Sequence, residues 1–141
     1  MSFQFNESRI CFVNSHLAAH LSKVDDRNQN YRQIVQNLHL HSETSCCLSN
    51  YFHYLFWFGD LNYRLEADRD LVISKIKQKQ FEDLRASDQL NREKAWGRAF
   101  VGFTEGLVNF PPTYRYLRGI REYNDEVTAL PPIYTPQLTY T

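Results

Sequence analysis

The sequence predicts a layered α/β domain, because strand-like and helix-like hydrophobic patterns alternate along the chain. Residues 9–17 are rich in Ile, Phe and Val, and residues 51–64 begin with a dense aromatic run; both patterns are typical of strands buried in a sheet. After each of these strands, apolar residues recur at helical spacing. The order strand, helix, strand, helix therefore indicates a sheet with helices packed against it.

Two longer helices follow from this spacing. Asp25 or Asp26 can cap the first helix. The second helix is expected over residues 66–79 and ends in lysines, which interact favourably with the carbonyl end of a helix. The apolar residues of the first helix share one face: Val24, Tyr31, Ile34, Val35 and Leu38.

Shorter elements are expected in the second half of the chain. Residues 81–91 favour one or two short helical turns, and residues 100–110, which contain two glycines, favour a turn or a short hairpin. Residues 129–141 are rich in Pro, Thr and Tyr. We therefore expect a domain of residues 1–128 followed by a poorly packed tail.

Composition describes an ordinary globular protein without an electrostatic attraction to nucleic acid. Of 141 residues, 43% are hydrophobic and 23% are charged, and the 16 basic and 16 acidic side chains cancel. This balance argues against a nuclease, because nucleic-acid-binding domains usually carry an excess of basic residues. No apolar run approaches the ~20 residues that span a membrane, and the first residues lack the pattern of a secretory signal. Three unpatterned cysteines favour a reducing cytosol, and none is followed six residues later by the arginine of a cysteine-dependent phosphatase.

Polar side chains follow the aromatic run at regular intervals. Gly59 ends the run, and Asp60, Asn62 and Arg64 follow at spacings of two. On an extended segment this spacing would place all three side chains on one side, at the end of a rigid strand. An acid, an amide and a guanidinium held together in this way suit the handling of a phosphate group. The alternative is an ordinary polar turn, in which Gly, Asp and Asn are common.

Three sequence blocks resemble the inositol polyphosphate 5-phosphatases, a branch of the endonuclease/exonuclease/phosphatase superfamily. WFGDLNYR at residues 57–64 is similar to the signature W-x-G-D-x-N-[FY]-R of that family. ICFVNSHLAAH at residues 10–20 is similar to its strand ending in N-S-H-L-A-A-H, and RNQNY at residues 27–31 to the helix start that follows. GFTEG at residues 102–106 and FPPTYRY at residues 110–116 are similar to its G-F-x-E-G…F-x-P-T-Y-K-[YF] segment. Three blocks in the same order are far more specific than one motif.

The resemblance implies a particular α/β fold and a particular reaction. The fold is a two-layer β-sandwich flanked by helices, of which this chain is expected to hold the central part. The reaction is removal of the 5-phosphate from phosphoinositide lipids or soluble inositol polyphosphates, with Mg²⁺ as cofactor. Such an enzyme is expected in the cytoplasm and peripheral at membranes, with transient contact to the membrane surface, no transmembrane segment and no nucleic-acid partner.

The resemblance assigns chemical roles to matching residues. Asp60 is the implied general base that holds the attacking water, and Asn62 orients that water or a phosphoryl oxygen. His16 is implied to donate a hydrogen bond to the scissile phosphate, and Asn14 of the same block to bind substrate. For His16 the alternative is a core histidine bonded to a backbone carbonyl.

Further residues are candidates for substrate contacts. Tyr114 and Arg115 match the segment implied to contact a neighbouring ring phosphate, with Arg in place of the usual Lys. The alternative is an exposed arginine between two packing tyrosines. Arg64 could reach phosphate or pair with an acid such as Glu66. The pair at residues 27–28 is expected to stabilise the helix start instead of touching substrate.

The sequence lacks a complete metal site. The metal-binding Glu of the family and its later P-A-W-C-D-R and S-D-H segments have no counterpart here, so Asp60 alone is expected to bind Mg²⁺ weakly. Zinc is not expected, because His16 and His20 do not form H-E-x-x-H and the His and Cys residues at 39–47 lack zinc spacing. Two alternatives stay open: an incomplete chain that only binds phosphoinositide or a partner, and a superfamily nuclease. An incomplete sandwich is also expected to be marginally stable or to aggregate.

Overall fold

A computed structural model describes residues 1–38, 51–112 and 116–123, together with the backbone of residues 138–140. Its strands are β1 (Ser2–Phe5), β2 (Ser8–His16), β3 (Tyr54–Asp60), β4 (Thr104–Glu105) and β5 (Leu138–Tyr140). Its helices are α1 (Val24–Asn37), α2 (Arg69–Lys77), α3 (Phe81–Arg85) and α4 (Gln89–Ala95). The α/β class predicted from the sequence is therefore confirmed.

The strands form one mixed sheet in the order β1-β2-β3-β5-β4. β1 and β2 are an antiparallel hairpin whose turn places Asn6 in the left-handed region, with φ of 51°. β2 and β3 are parallel, which requires the chain to cross back over the sheet, and α1 lies in that crossover. β5 is antiparallel to both β3 and β4.

One face of the sheet, which we call the covered face, packs against the helices. Cys11 pairs with Leu55 and Val13 with Trp57 in the register of β2 and β3, and all four side chains are buried. The Trp57 ring centroid lies 5.2 Å from that of Tyr31 on α1. The covered face therefore supplies the main hydrophobic core.

The opposite face, which we call the open face, carries aromatic residues that remain partly exposed. Phe12 pairs with Phe56 in the register of the two parallel strands, and their rings stack with centroids 5.0 Å apart. Phe3 of β1 stacks on Phe12 at 6.1 Å and is 43% exposed, and Phe58 meets the edge of Phe12 at 6.4 Å. Within the described residues these rings have no covering layer, so one sheet of the expected sandwich is present in this part of the chain.

Several boundaries differ from the sequence prediction for local reasons. Asp25 and Asp26 lie inside the first turn of α1 and do not cap it, because Lys23 occupies the cap position without a side-chain hydrogen bond. The second helix begins later than expected, because the Asp68 carboxylate accepts the N–H groups of Asp70 and Leu71 and so fixes the start.

The segment 100–110 forms the predicted turn and not the alternative hairpin. Residues 101–102 are the turn, across which the Phe103 N–H donates to the Phe100 carbonyl at 3.2 Å. Thr104–Glu105 pairs with Leu138–Tyr140, far along the chain. Those last residues were expected to belong to a poorly packed tail, yet they lie in the sheet between β3 and β4. The domain boundary after residue 128 stays a prediction. In the described part of the chain, the longest helix has 14 residues, and no helix there has the length and apolarity to cross a membrane.

Candidate functional site

Parallel pairing brings His16 and Asp60 to the same edge of the sheet. Each is the last residue of its strand, and the register of β2 and β3 places them side by side on the open face. His16 Nε2 lies 3.6 Å from Asp60 Oδ2, and the two side chains are 73% and 60% exposed. The alternative of a core histidine is therefore wrong, because the side chain points to solvent beside a carboxylate.

Gly59 permits this close approach of the two strand ends. Its φ of 118° lies in a region that side chains disfavour, and a Cβ there would overlap the Ser15 carbonyl oxygen and Asn14 Oδ1. Asn14 is exposed and shares the open face with His16 and Asp60. The structure thus groups Asn14, His16 and Asp60 at one edge, as three polar side chains open to solvent.

Asn62 bonds the Asp60 carboxylate through its backbone N–H. Its backbone has φ of 56°, and its N–H donates to Asp60 Oδ1 at 3.2 Å. Its side chain is buried, where Nδ2 donates to the Leu17 carbonyl at 3.0 Å and Oδ1 accepts from Arg64 Nη2 at 2.6 Å. The prediction that Asp60, Asn62 and Arg64 share one side is wrong, because the strand ends at Asp60 and the left-handed residue turns the Asn62 side chain inward.

Arg64 holds Asn62 and does not pair with Glu66. The Glu66 carboxylate is bonded by Arg92 from α4 and by Gln89 Nε2, and these bonds lower the pKa of Glu66, with the Arg92 bond contributing most. The alternative of an Arg64–Glu66 ion pair is therefore wrong in this structure. Arg64 is half-buried, so the predicted contact of its side chain with phosphate remains a prediction.

The start of α1 lies in a buried polar network. Arg27 Nη1 donates to the carbonyls of Ala18 and His20, at 3.1 and 2.6 Å, and is fully buried. Asn28 accepts from the Tyr63 hydroxyl at 2.6 Å and donates to Glu93 Oε2 at 2.7 Å. The prediction that Arg27 and Asn28 stabilise the helix start is confirmed.

Sequence reasoning missed the two α4 residues that complete this network. Gln89 and Glu93 are both fully buried, although polar residues in the first turns of a helix are usually solvated. Their spacing of four on one helix face was the available signal, and it becomes informative only when α1 is known to pack against that face.

The described residues do not form a complete magnesium site. They contain no cluster of three or more His, Cys, Asp or Glu side chains. At the site edge, Asp60 supplies one carboxylate and Asn14 one amide oxygen, fewer donors than the octahedral shell of Mg²⁺ requires without water or substrate. The predicted substrate residues Tyr114 and Arg115, and the His and Cys residues at 39–47, lie outside the described residues.

The chain is similar in sequence to a known protein family and to several phosphatases. Residues 1–140 match the family described as Endonuclease/Exonuclease/phosphatase family 2. The chain is 44% identical over 124 residues to phosphatidylinositol 3,4,5-trisphosphate 5-phosphatase 2A of Danio rerio and to phosphatidylinositol 3,4,5-trisphosphate 5-phosphatase 2 of Homo sapiens. These matches cover 86% of this chain and 10% of each relative, so the chain spans about a tenth of the length of these proteins.

Solved structures share the fold. The inositol polyphosphate 5-phosphatase domain of SPsynaptojanin, in complex with inositol (1,4)-bisphosphate and calcium ion, superposes with a TM-score of 0.87 at 32% identity. That match covers 99% of this chain and 41% of the solved chain. A Cimex nitrophorin ferrous NO complex superposes with a TM-score of 0.72 at 26% identity, over 99% of this chain and 46% of the other. Proteins of different chemistry therefore share this architecture, and the function must be argued from the site.

Proposed function

The chain belongs to endonuclease/exonuclease/phosphatase family 2, and from that premise we propose that it contributes a phosphomonoesterase site for the 5-phosphate of inositol phospholipids or inositol polyphosphates. The observation that carries this proposal is the exposed pair of His16 and Asp60, 3.6 Å apart at the end of two parallel strands. The trisphosphate 5-phosphatases and the inositol bisphosphate complex among its relatives support the substrate class.

In this proposal Asp60 acts as the general base. The Asn62 N–H holds Oδ1, which leaves Oδ2 directed toward solvent beside His16. A water bonded to Oδ2 would attack phosphorus while its proton passes to the carboxylate. The bond between phosphorus and the ring oxygen breaks, and that oxygen leaves as the alcohol after taking a proton from solvent.

In this proposal His16 and Asn14 bind the phosphoryl oxygens. An imidazole N–H and an amide N–H can each donate to an oxygen whose negative charge grows as the water attacks. Both side chains are exposed on the open face, on the same side as Asp60. Asn62, by contrast, acts in this proposal by holding the Asp60 carboxylate, because its own side chain is buried.

The proposal includes a Mg²⁺ cofactor, a second phosphate contact and a cellular location. Mg²⁺ dependence is proposed from the family, although the described residues do not fit a full Mg²⁺ shell. Binding of a neighbouring ring phosphate by Tyr114 and Arg115, a cytoplasmic location and transient contact with a membrane surface are proposals on the same basis.

The test is phosphate release from phosphatidylinositol 4,5-bisphosphate vesicles and from soluble inositol 1,4,5-trisphosphate, with Mg²⁺ or with EDTA. Asp60→Asn should lower turnover by about a hundredfold or more, because it removes the base while keeping the shape. Asp70→Asn, at an exposed aspartate of α2, is the matched control and should leave turnover unchanged. Turnover that survives Asp60→Asn would contradict the proposed base, and turnover in EDTA would contradict Mg²⁺ dependence.

A second candidate function is binding without turnover. The single carboxylate among the described site residues favours it, because a phosphatase of this kind usually needs more metal ligands. Folded protein that binds inositol 1,4-bisphosphate but releases no phosphate would support this function. Cleavage of single-stranded or abasic DNA would instead support a nuclease, against which the balanced charge argues.

A further inference from the structure

The side-chain amide of Gln89 is buried between the two loops that directly follow the strands of the candidate site. Its Oε1 accepts from Arg27 Nη2 at 2.5 Å and from the Arg64 backbone N–H at 2.9 Å. Its Nε2 donates to the Leu21 carbonyl at 3.0 Å and to Glu66 Oε1 at 2.7 Å. Both lone pairs and both protons of the amide are therefore used, and the residue is 0% exposed.

The partners of Gln89 belong to two loops, which we call the β2 loop (residues 17–23) and the β3 loop (residues 61–68). The β2 loop directly follows His16, and the β3 loop directly follows Asp60. Gln89 contacts the first loop through the Leu21 carbonyl and the second through residues 64 and 66. One side chain, which lies on neither loop, therefore fixes both.

Arg27 bonds further residues of the β2 loop and is itself bonded to Gln89. Its guanidinium donates to the carbonyls of Ala18, His20 and Leu21, at 3.1, 2.6 and 3.4 Å, and to Gln89. A buried cation bonded mainly to neutral acceptors is costly to maintain, and burial lowers the pKa of Arg27. These bonds hold a segment without regular secondary structure in one conformation.

Hydrogen bonds also connect the β2 loop to Asp60 and to the β3 loop. The Leu17 N–H donates to the Asp60 carbonyl at 2.9 Å, and Asn62 Nδ2 donates to the Leu17 carbonyl at 3.0 Å. A shift of either loop would therefore change the position of Asp60 relative to His16. The distance between His16 and Asp60 therefore depends on the hydrogen bonds that Gln89 and Arg27 make to the two loops.

We propose that Gln89, together with Arg27, is a positioning residue that sets the relative placement of His16 and Asp60 by bonding the β2 loop and the β3 loop to one buried amide. The proposal rests on the proposed function in one respect, namely that the pair is the working site. Gln89 itself is fully buried, so it touches neither substrate nor water and is not a catalytic residue.

The test uses Gln89→Glu in the full chain, with Gln29→Glu as matched control. At position 89 the carboxylate keeps the size of the side chain but loses both donated hydrogen bonds and faces the Leu21 carbonyl and the Glu66 carboxylate. Gln29 is exposed on α1, so the same change there should have no effect. Three quantities are compared: free energy of unfolding, NMR signals without ligand, and affinity for inositol 1,4-bisphosphate.

The proposal predicts a selective change in Gln89→Glu. Signals of His16, of the Asn62 side-chain amide and of the two loops should move, whereas the Trp57 indole N–H, bonded to Ser15 Oγ in the core, should stay in place. Affinity for inositol 1,4-bisphosphate should fall by about tenfold to a hundredfold, because misplacement of binding groups is expensive. Movement of the Trp57 signal together with the loops, or unmoved loops, would overturn the proposal.

Two further variants keep the test decisive. Glu66→Gln combined with Gln89→Glu exchanges donor and acceptor between the two side chains, so loop signals should return toward those of the original protein. Gln89→Met fills the same space without any hydrogen bond and serves if the glutamate variant does not fold. Failure of both single variants to fold would assign Gln89 to global stability and overturn the proposal. If the unaltered chain binds no inositol 1,4-bisphosphate, the proposed function fails, while the ligand-free signals still decide the role of Gln89.

Discussion

The two faces of the sheet differ in what they contribute. On the covered face, Trp57 is fully buried against Tyr31, Phe100 and Phe103, with ring centroids 5.2 to 6.0 Å apart. On the open face, Phe56 on the neighbouring position of the same strand is partly exposed and stacks mainly on Phe12. Alternate residues of β3 therefore have opposite environments, as the pleat of a strand requires.

The difference separates stability from chemistry. Apolar burial on the covered face stabilises the fold, whereas Asn14, His16 and Asp60 all point to the open face, where they remain accessible. The same strands thus hold a core on one side and a candidate site on the other. Substitutions on the two faces should have different effects, and the following predictions are ordered by the expected size of the effect on stability.

The largest effect is expected from Trp57→Ala on the covered face. It removes a buried ring and its bond to Ser15 Oγ, so the free energy of unfolding should fall by about 3–5 kcal/mol. Phe56→Ala on the open face should cost only about 1–2 kcal/mol, because that ring is already partly solvated. Denaturant unfolding of both variants measures the difference. Equal losses would mean that the open face is covered in solution.

A smaller loss is expected from Gly59→Ala, where the two faces meet at the strand end. The added Cβ would overlap the Ser15 carbonyl and force a left-handed residue, at a cost of roughly 2–4 kcal/mol. Gly106→Ala is the control, because nothing lies within 4 Å of the position of its Cβ. Its stability should stay within about 0.5 kcal/mol of the original. A Gly59→Ala protein as stable as this control would show that the strand ends can separate freely.

The helical layer should also make the stability of the fold depend on pH. Burial, opposed in part by the Leu90 N–H, raises the pKa of Asp88 to about 6. Since the folded state binds this proton more readily than the unfolded chain, Asp88 favours folding below about pH 4, and this contribution disappears as the pH rises through about 6. The contribution of Asp88 to the free energy of unfolding changes by at most about 3 kcal/mol over this pH range.

Asp88→Asn should therefore flatten the fall in stability between pH 4 and pH 7, as measured by denaturant unfolding across that range. Burial also raises the pKa of Glu105, so a slope in the same direction should remain. Identical pH slopes with and without Asp88 would contradict the burial argument.

The smallest effect on stability is expected on the open face itself. Asp60→Asn and His16→Gln should each change the free energy of unfolding by less than about 0.5 kcal/mol, because both side chains are largely solvated and their 3.6 Å pairing is weak. Thermal unfolding of the two variants measures this. A loss comparable to that of Trp57→Ala would mean that the pair is a structural element and would weaken its assignment as a site.

The part of the fold that depends on local pattern could be predicted from the sequence. The strand ending at His16, the aromatic strand ending at Asp60 and the helix between them were all visible as hydrophobic periodicities. By contrast, the pairing of Thr104–Glu105 with Leu138–Tyr140 could not be predicted, because strand pairing between distant segments leaves no local pattern.

The candidate site was predictable only in part. His16 and Asp60 could be singled out because each ends a strand and matches a family motif, and the structure places both on one edge. The inward turn of Asn62 could not be foreseen, since it depends on a left-handed backbone and on the Leu17 carbonyl nearby. Gln89 was missed for a similar reason, because its amide finds its partners only after both loops have packed against α4.

The parallel pairing of β2 and β3 has a consequence for how the chain folds. His16 and Asp60 are 44 residues apart, and no hairpin can bring them together, because parallel strands must first be joined by a crossover. Contacts of such long sequence separation form late and slowly compared with a helix or a tight turn. We therefore expect α1 and the hairpin of β1 and β2 to form early, while the pair itself appears only when the aromatic strand has docked. A partly folded chain would hold both side chains, chemically intact, and still have no site.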